Sequence, residues 1–120
     1  MEAMDIQETI QSLTQELRRG TLVLSVLSQL FEPQYGYSLV SILEEKGLSI
    51  DPGTLYPLMR RLEKQELLVS SWDTNEARPR KYYQLSETGK QVYAHLRQEW
   101  ASLAEGVNRL MDGGEGNGTD

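Results

Sequence analysis

Apolar side chains recur at helical spacing through the first part of the chain. One stripe, with spacings of four, three and four positions, consists of Ile6, Ile10, Leu13 and Leu17. This spacing is typical of an amphipathic helix. The next segment, Leu22 to Phe31, is apolar on most sides, which predicts a central helix covered by its neighbours and ended by Pro33. Because Gly20 lies between them, the two stretches form either one long helix or two pieces.

Two more helices follow in the pattern. The first runs from about residue 34 or 35 to Lys46, with Gly47 at its C-terminal cap. The second has Asp51 as N-cap and Pro52 at its first position, where the missing N–H of proline costs nothing. Its core positions, spaced i, i+3, i+4 and i+7, are Leu55, Leu58, Met59 and Leu62. Its opposite face carries Gly53, Pro57, Arg60 and Lys64, flanked by Tyr56 and Arg61.

The second half of the chain predicts a hairpin and a long helix. Residues 67–72 and 81–85 are rich in β-branched or aromatic side chains and are joined by a polar loop, which is typical of an antiparallel hairpin. Ser86 then N-caps a helix of about 25 residues. An apolar stripe of coiled-coil type runs along this helix through Leu96, Trp100, Leu103, Val107 and Leu110. No later element covers the stripe, so it indicates contact with another chain.

The order of elements predicts the fold class. Three helices followed by a hairpin are the pattern of a winged helix-turn-helix, so we expect a mainly α protein with a small β-hairpin. Residues 1–85 would hold the N-terminal helix and the winged helix-turn-helix, and residues 86–111 a C-terminal dimerisation helix. Residues 112–120 contain four glycines and no large apolar side chain, which predicts a disordered tail.

Charge and composition narrow the function classes. The chain of 120 residues fits one domain and has no cysteine, which excludes disulfides and thiolate metal sites. Its net charge is −6, but residues 51–90 hold 7 basic and 6 acidic side chains, so this segment is positive. Screening over about 8–10 Å lets such a basic face act locally on an acidic protein. No apolar run approaches the roughly 20 residues of a membrane span and no secretory signal is present, so we expect a cytoplasmic protein.

The basic segment carries the candidate chemistry. A major groove about 12 Å wide admits one α-helix, which must be fixed to the protein on one face and offer donors on the other. The helix that follows Asp51 is the third helix when the N-terminal stretches are counted as one. It meets both demands, since Arg60, Arg61 and Lys64 can bind phosphates or guanine edges. Near its start, Thr54 and Tyr56 can donate hydroxyl hydrogen bonds to phosphates. On the hairpin, the cations that can reach the flanking backbone or the minor groove are Arg78, Arg80 and Lys81.

Several motifs together resemble the PadR family of transcriptional regulators. They are Gly-Tyr at 36–37, Gly-Thr-Leu-Tyr-Pro at 53–57, Arg-Leu-Glu at 61–63, Ser-Trp at 71–72, and Arg-Pro-Arg-Lys-Tyr-Tyr at 78–83. The resemblance covers Leu17 to Met111 and is closest to the smaller members with a single C-terminal helix. It implies that the third helix enters the major groove, that the wing contacts flanking DNA and that the last helix forms a dimer. By motif, it implies DNA contact by Thr54, Tyr56, Arg60 and Lys81.

The chain departs from the family pattern after the third helix. Glu66 stands where the family usually has glycine, and a left-handed conformation there would cost about 1–2 kcal/mol. Ala77 replaces a common wing glycine. Asp73 and Glu76 would repel phosphate, so we expect the tip of the wing to point away from DNA.

Plainer interpretations stand beside these. The cations of the third helix could form a solvated face, Tyr56 could pack rather than bind, and Tyr37 is expected to pack. Tyr82 and Tyr83 alternate along a strand, so one should be buried and the other should face outward. The residues expected at a dimer interface are Ile10, Leu13, Leu96, Trp100, Leu103, Val107 and Leu110. In some relatives aromatic residues there line a ligand pore, so Trp100 is a possible ligand contact, but dimer packing is favoured.

The main hypothesis is a homodimeric, sequence-specific DNA-binding regulator without cofactor or metal. It would act as a repressor on a pseudo-palindromic operator and be released by an unknown signal. One alternative is a winged-helix protein-interaction module that does not read DNA. Another is a sensor of a drug or a phenolic compound at the dimer interface. An enzyme is not expected, because no nucleophile–base pair or phosphate loop stands at useful spacing and the single histidine has no metal partners.

Overall fold

The computed structural model describes residues 5–75 and 77–113, which form five helices and three strands. In chain order these are α1 (Ile6–Arg19), α2 (Leu22–Ser28), β1 (Gln34–Tyr35), α3 (Gly36–Glu45), α4 (Pro52–Lys64), β2 (Leu68–Asp73), β3 (Arg80–Leu85) and α5 (Glu87–Asp112). The predicted order is present, with one additional strand. The predicted tail lies outside the described residues from position 114 onward.

The N-terminal apolar stretches form two helices. Asp5 caps α1, since its Oδ1 accepts a hydrogen bond from the backbone N–H of Gln7 at 3.0 Å. The chain then breaks at Gly20, where the Thr21 hydroxyl donates to the carbonyl of Arg18 at 2.9 Å. The break at glycine separates the exposed α1 from α2, which enters the core.

One apolar core joins α2, α3, α4 and the sheet. Its buried members are Val26, Leu27, Leu30, Leu39, Leu43, Leu55, Met59, Leu62, Leu68, Tyr83 and Leu85. The prediction that the segment 22–31 is central is confirmed, because Val26, Leu27 and Leu30 are fully buried. The predicted end of the helix before Pro33 is wrong, because α2 ends at Ser28 and the next N–H groups bond three residues back. In α4 the predicted core positions are buried except Leu58, which is only partly buried.

The strands form an antiparallel sheet in the order β1–β3–β2. The hairpin was predicted but β1 was not, because two residues carry no alternating pattern. The expected helix start at residue 34 or 35 is therefore wrong by one or two positions. Tyr35 is extended (φ −68°, ψ 151°) and pairs with Tyr82 of β3, so α3 begins at Gly36. This pairing ties the α2–α3 connection to the wing formed by β2 and β3.

The turn between α3 and α4 follows the predicted capping. Gly47 has φ of +93°, a left-handed conformation that glycine adopts without a Cβ clash. The N–H of Leu48 donates to the carbonyl of Leu43 at 2.8 Å, which closes a Schellman-type end. Asp51 occupies the predicted N-cap position with an extended backbone, but its side chain makes no capping hydrogen bond, and Pro52 opens α4 as predicted. The turn thus fixes α4 against α3 as a helix-turn-helix pair.

A second turn locks α4, β2 and α5 together. Ser86 N-caps α5 as predicted by accepting from the N–H of Gly89 at 2.9 Å, and its hydroxyl donates to the carbonyl of Glu66 at 2.7 Å. A Cβ on Gly89 would lie 2.1 Å from the carbonyl oxygen of Leu67, so only glycine fits there. Glu66 itself has φ of +67°, which places this non-glycine residue in the left-handed region.

Two helices extend beyond the core with apolar side chains in solvent. On α1 the exposed residues are Ile6, Ile10, Leu13 and Leu17, and on α5 they are Trp100, Leu103, Val107, Leu110 and Met111. Leu96, nearer the core, is partly buried. Among the described residues, no helix is both long enough and apolar enough to cross a bilayer.

The left-handed turn predicts a stabilising substitution. Glu66→Gly removes a conformational cost of about 1–2 kcal/mol and adds an unfolded-state entropy cost of about 0.5–1 kcal/mol. We therefore expect the free energy of unfolding to rise by about 0.5–1 kcal/mol in urea titrations at one fixed protein concentration. The neighbouring Gln65, at φ −80°, is the control, and Gln65→Gly should lower the stability instead. Equal losses in both variants would contradict strain at Glu66.

Candidate nucleic-acid interface

Helix α4 has two faces, as predicted. Leu55, Met59 and Leu62 hold one face in the core. The opposite side is exposed to solvent and carries Gly53, Thr54, Pro57, Arg60, Arg61 and Lys64. Burial of the apolar stripe fixes the rotation of the helix about its axis, so the cations must point outward.

The wing brings further cations beside this face. A groove of about 490 Å³ runs between α4, the start of α3 and the wing. It is lined by Tyr35, Gly36, Tyr37, Tyr56, Arg60, Arg78, Pro79, Arg80, Lys81 and Tyr83. Four of the predicted cationic site residues therefore lie around one concavity rather than on different sides. The surface is rich in aromatic rings and arginine, a combination suited to phosphates, sugars and bases.

Three predicted site residues lie outside this groove. Arg61 and Lys64 are exposed elsewhere on α4. Thr54 lines a second groove, of about 610 Å³, between α1 and the start of α4, which also contains Arg18 and Arg19. The structure therefore spreads the predicted site along α4 from its first turn to its last.

Tyr56 both packs and lines the groove. A Cβ on Gly36 would lie 3.1 Å from Cε1 of the Tyr56 ring, so the ring fits closely over this glycine. The side chain is half-buried. The glycine of the Gly-Tyr motif is thereby explained by close approach of α4 to the start of α3.

Lys81 is engaged within the protein. Its Nζ lies 3.3 Å from Oε1 of Glu63 on α4 and 5.1 Å from the centroid of the Tyr83 ring. Burial lowers the pKa of the Lys81 ammonium, but interactions with Tyr83 and Glu63 outweigh it, so the net pKa is raised. The other Glu63 oxygen accepts from the hydroxyl of Ser70 on β2. Glu63 thus links α4 to both wing strands through Ser70 and Lys81, and these three residues are called the Glu63 strap.

Three tyrosines and one arginine form a cluster, here called the wing cluster, where β1 and the start of α3 meet β3 of the wing. The Tyr35 ring stacks on Tyr37 and on Tyr82, with centroids 5.6 and 5.1 Å apart. The Arg80 guanidinium lies 5.5 Å from the Tyr35 centroid and donates to the Tyr37 hydroxyl at 2.8 Å. The expectation that Tyr37 packs is corrected in one respect, because the ring stacks while 54% exposed, outside the core. The alternation of Tyr82 and Tyr83 is confirmed, with Tyr83 in the core.

Asp73 has partners that sequence reasoning did not find. Its Oδ2 accepts from the Tyr35 hydroxyl at 2.9 Å, and its Oδ1 accepts from the N–H of Asn75 at 3.1 Å. The bond from Asn75, followed by that from Tyr35, holds the pKa of the Asp73 carboxyl below its ordinary value. Glu76, the other acidic residue of the predicted wing tip, lies outside the described residues. Asp73 therefore helps to order the wing. Its expected repulsion of phosphate stays a prediction.

The ligand and metal expectations rest on other parts of the chain. Trp100 is half-exposed on α5, in the apolar stripe. A groove of about 510 Å³ beside α5 is lined by residues such as Phe31, Tyr93 and Arg97, and Trp100 is not among them. His95 is exposed, with Nε2 3.8 Å from Oε2 of Glu99. Within residues 5–75 and 77–113 no group of three histidine or carboxylate residues is placed to hold a metal ion.

This arrangement defines the class of the protein. A helical trio built on a helix-turn-helix pair, followed by an antiparallel hairpin whose basic side lies beside the second helix of the pair, is a winged helix-turn-helix. The chain belongs to the PadR-like family of transcriptional regulators, whose family model matches residues 23–95.

Individual relatives agree with this assignment. The crystal structure of a PadR family transcriptional regulator from Eggerthella lenta is 50% identical, with a TM-score of 0.86, over 91% of this chain and 97% of that one. A PadR-like transcriptional regulator from Bacillus cereus is 27% identical, with a TM-score of 0.73, over 80% and 96%. A transcriptional regulator of Mycobacterium tuberculosis is 31% identical over 105 residues, or 87% and 98% of the two chains. The predicted family and fold class are confirmed.

The Glu63 strap predicts a pH-dependent contribution to stability. The hydrogen bond from Ser70, aided by Lys81 and opposed by burial, lowers the pKa of the Glu63 carboxyl from its ordinary value of 4.5. A lowered pKa means that the carboxylate contributes stability above pH 4.5, and that this contribution is lost as the pH falls through the folded-state pKa. We expect Glu63→Gln to lower the free energy of unfolding by about 1 kcal/mol at pH 7, since the site is partly solvated.

Urea titrations of both proteins between pH 7 and pH 3 would measure the difference, which should disappear at the acid end. The control is Glu105→Gln, which breaks an exposed pair with Arg109 (3.5 Å) and should change stability by less than about 0.5 kcal/mol. A difference for Glu63→Gln that persists unchanged at pH 3 would show that charge is not its origin.

Proposed function

We propose that the protein is a homodimeric, sequence-specific DNA-binding repressor that inserts α4 into the major groove. The observation that carries this proposal is the common groove lined by Arg60 of α4 and by Arg78 and Arg80 of the wing. A duplex lying against α4 would present one phosphate backbone to the wing, where these cations stand. The local charge fits this partner although the chain as a whole carries −6.

The contacts can be assigned by chemistry. Arg60, Arg61 and Lys64 project from the exposed side of α4 and would meet guanine edges or phosphates, with arginine to guanine the commonest specific contact. Thr54 in the first turn and Tyr56 one residue after Leu55 would donate hydroxyl hydrogen bonds to phosphates. Arg78, Arg80 and, by family motif, Lys81 would serve the flanking backbone. For Lys81, contact with a phosphate requires its ammonium either to leave Glu63 or to bind Glu63 and the phosphate together.

The unpartnered apolar stripes support a dimer. A single chain leaves Leu103, Val107 and Leu110 of α5 exposed, together with Ile10 and Leu13 of α1. Soluble chains rarely expose such continuous stripes without a partner. A second copy would cover them, with Leu96 and Trp100 completing the interface nearer the core. Trp100 would then be a packing residue of the dimer.

A two-fold dimer sets the geometry of the operator. Its two α4 helices would read half-sites about one helical turn, roughly 34–36 Å, apart on one face of the duplex. The sites would therefore be pseudo-palindromic. Occupying a promoter in this way blocks transcription, and a signal that changes the angle between the two winged domains through α5 would release the DNA.

The DNA contact is tested by Arg60→Ala. Loss of a base or phosphate contact should weaken binding to operator DNA by about 1–3 kcal/mol per half-site. Fluorescence anisotropy titrations over a range of salt concentrations measure both the affinity and its salt slope. Arg109→Ala, which removes the same charge from the last turn of α5, is the control and should bind as the unaltered protein does. Binding of Arg60→Ala equal to the unaltered protein at every salt concentration would exclude this surface.

The dimer is tested by placing Leu103→Glu and Leu110→Glu together in one variant. Two buried carboxylates without partners would oppose association, so the variant should sediment as a monomer where the unaltered protein sediments as a dimer. Ser102→Glu with Asn108→Glu adds the same charge on exposed positions of α5 outside the stripe, and should remain dimeric. An unchanged mass for the leucine variant would remove α5 from the interface.

A further inference from the structure

The wing cluster of three tyrosines and Arg80 is built from distant parts of the chain. Tyr35 ends β1, Tyr37 lies in the first turn of α3, and Tyr82 lies on β3. The rings are nearly parallel, with interplanar angles of 6° for Tyr35–Tyr37 and 12° for Tyr35–Tyr82. The backbone pairing of Tyr35 with Tyr82 holds the stack against the edge of the sheet. The rings therefore form a rigid surface beside the start of β3.

Arg80 lies on this surface with its guanidinium held from more than one side. Its Cζ is 5.5 Å from the Tyr35 centroid and 5.6 Å from the Tyr37 centroid, and Nη1 donates to the Tyr37 hydroxyl. Tyr35 is held in turn, because its hydroxyl donates to Asp73, the cross-strand partner of Arg80. The planar guanidinium carries five N–H donors in a fixed fork, a geometry that suits a phosphate.

We propose that Tyr37 is a positioning residue for DNA binding, which holds Arg80 in its binding orientation before DNA arrives. This inference rests on the proposed function. It adds an uncharged side chain, Tyr37, that raises the affinity for DNA. Tyr35 supports Tyr37 by stacking. The groove lined by Tyr37, Arg80 and Arg60 is the place where a backbone phosphate would meet the fixed guanidinium.

The physical reason is side-chain entropy. A free arginine loses rotamer freedom when it binds a phosphate, and that loss reduces affinity. In this protein, folding has already restricted Arg80 through two ring contacts and a hydrogen bond. Binding then costs less, and the affinity per contact is higher than that of a free arginine in the same place.

The test is a double-mutant cycle between Tyr37→Phe and Arg80→Gln on operator DNA. Tyr37→Phe keeps the ring and all charges but removes the acceptor for Nη1, so Kd should rise roughly twofold to tenfold per half-site with an unchanged salt slope. Arg80→Gln should weaken binding and reduce the salt slope by about 0.9 per half-site. In the Arg80→Gln background, Tyr37→Phe should have no further effect, because the residue on which it acts is gone.

A measurement without DNA tests the same idea. Relaxation of the ¹⁵Nε–H group of Arg80 should report an ordered guanidinium in the unaltered protein and a mobile one in Tyr37→Phe. Tyr93→Phe is the control, because Tyr93 contacts Phe31 edge-on at 5.3 Å and lies on α5, away from the wing. It should change neither the Arg80 relaxation nor Kd.

The outcomes separate this inference from the proposed function. Equal weakening by Tyr37→Phe in both backgrounds would mean direct contact with DNA or a general structural effect, and would overturn positioning. An Arg80 that is already mobile in the unaltered protein would overturn it as well. If Arg80→Gln weakens binding but Tyr37→Phe does not, only the positioning role fails. If neither Arg80→Gln nor Arg60→Ala affects binding, the proposed function fails and this inference fails with it.

Discussion

The structure depends on burial of one stripe of α4. Leu55, Met59 and Leu62 are enclosed by α2, α3 and the sheet, and each is buried almost completely. Removing such side chains from water is worth about 1.5–3 kcal/mol apiece, far more than a surface charge contributes. The apolar stripe therefore sets the rotation of the helix, and the cations occupy the only side left. The cationic surface of α4 arises as the complement of the core.

The position of the wing relative to α4 is set by polar contacts as well as by the shared core. Glu63 of α4 binds Lys81 of β3 and Ser70 of β2, so α4 and both wing strands share one carboxylate. On the neighbouring edge, β1 pairs with β3 and brings Tyr35 onto Asp73. Of these elements, α4 and β3 carry the cations, so the contacts help to hold Arg60 of α4 and Arg80 of β3 around one groove although the chain has a net charge of −6.

The apolar stripes of α1 and α5 lie largely outside the core. A domain of this size has a small core that cannot cover a helix as long as α5. Helix α5 therefore packs on α2 and β3 only through its N-terminal part, as the burial of Gly89 and the exposure of Leu103 and Leu110 indicate. The remaining apolar surface is what a partner chain would cover. The basic groove and the apolar stripes of α1 and α5 are thus separate surfaces of one regulator.

The sequence by itself determined the features that depend on local periodicity. The helices, the N-caps Asp51 and Ser86, the hairpin and the two faces of α4 could all be predicted, because spacing within one element decides which side is apolar. The PadR motifs supplied the family. Only the tertiary structure decided that Gln34–Tyr35 forms a strand, that Lys81 is paired with Glu63, and that Arg80 donates to Tyr37. Those contacts join residues as far apart as Gln34 and Tyr83, and no local pattern encodes which distant partners the fold will bring within hydrogen-bonding distance.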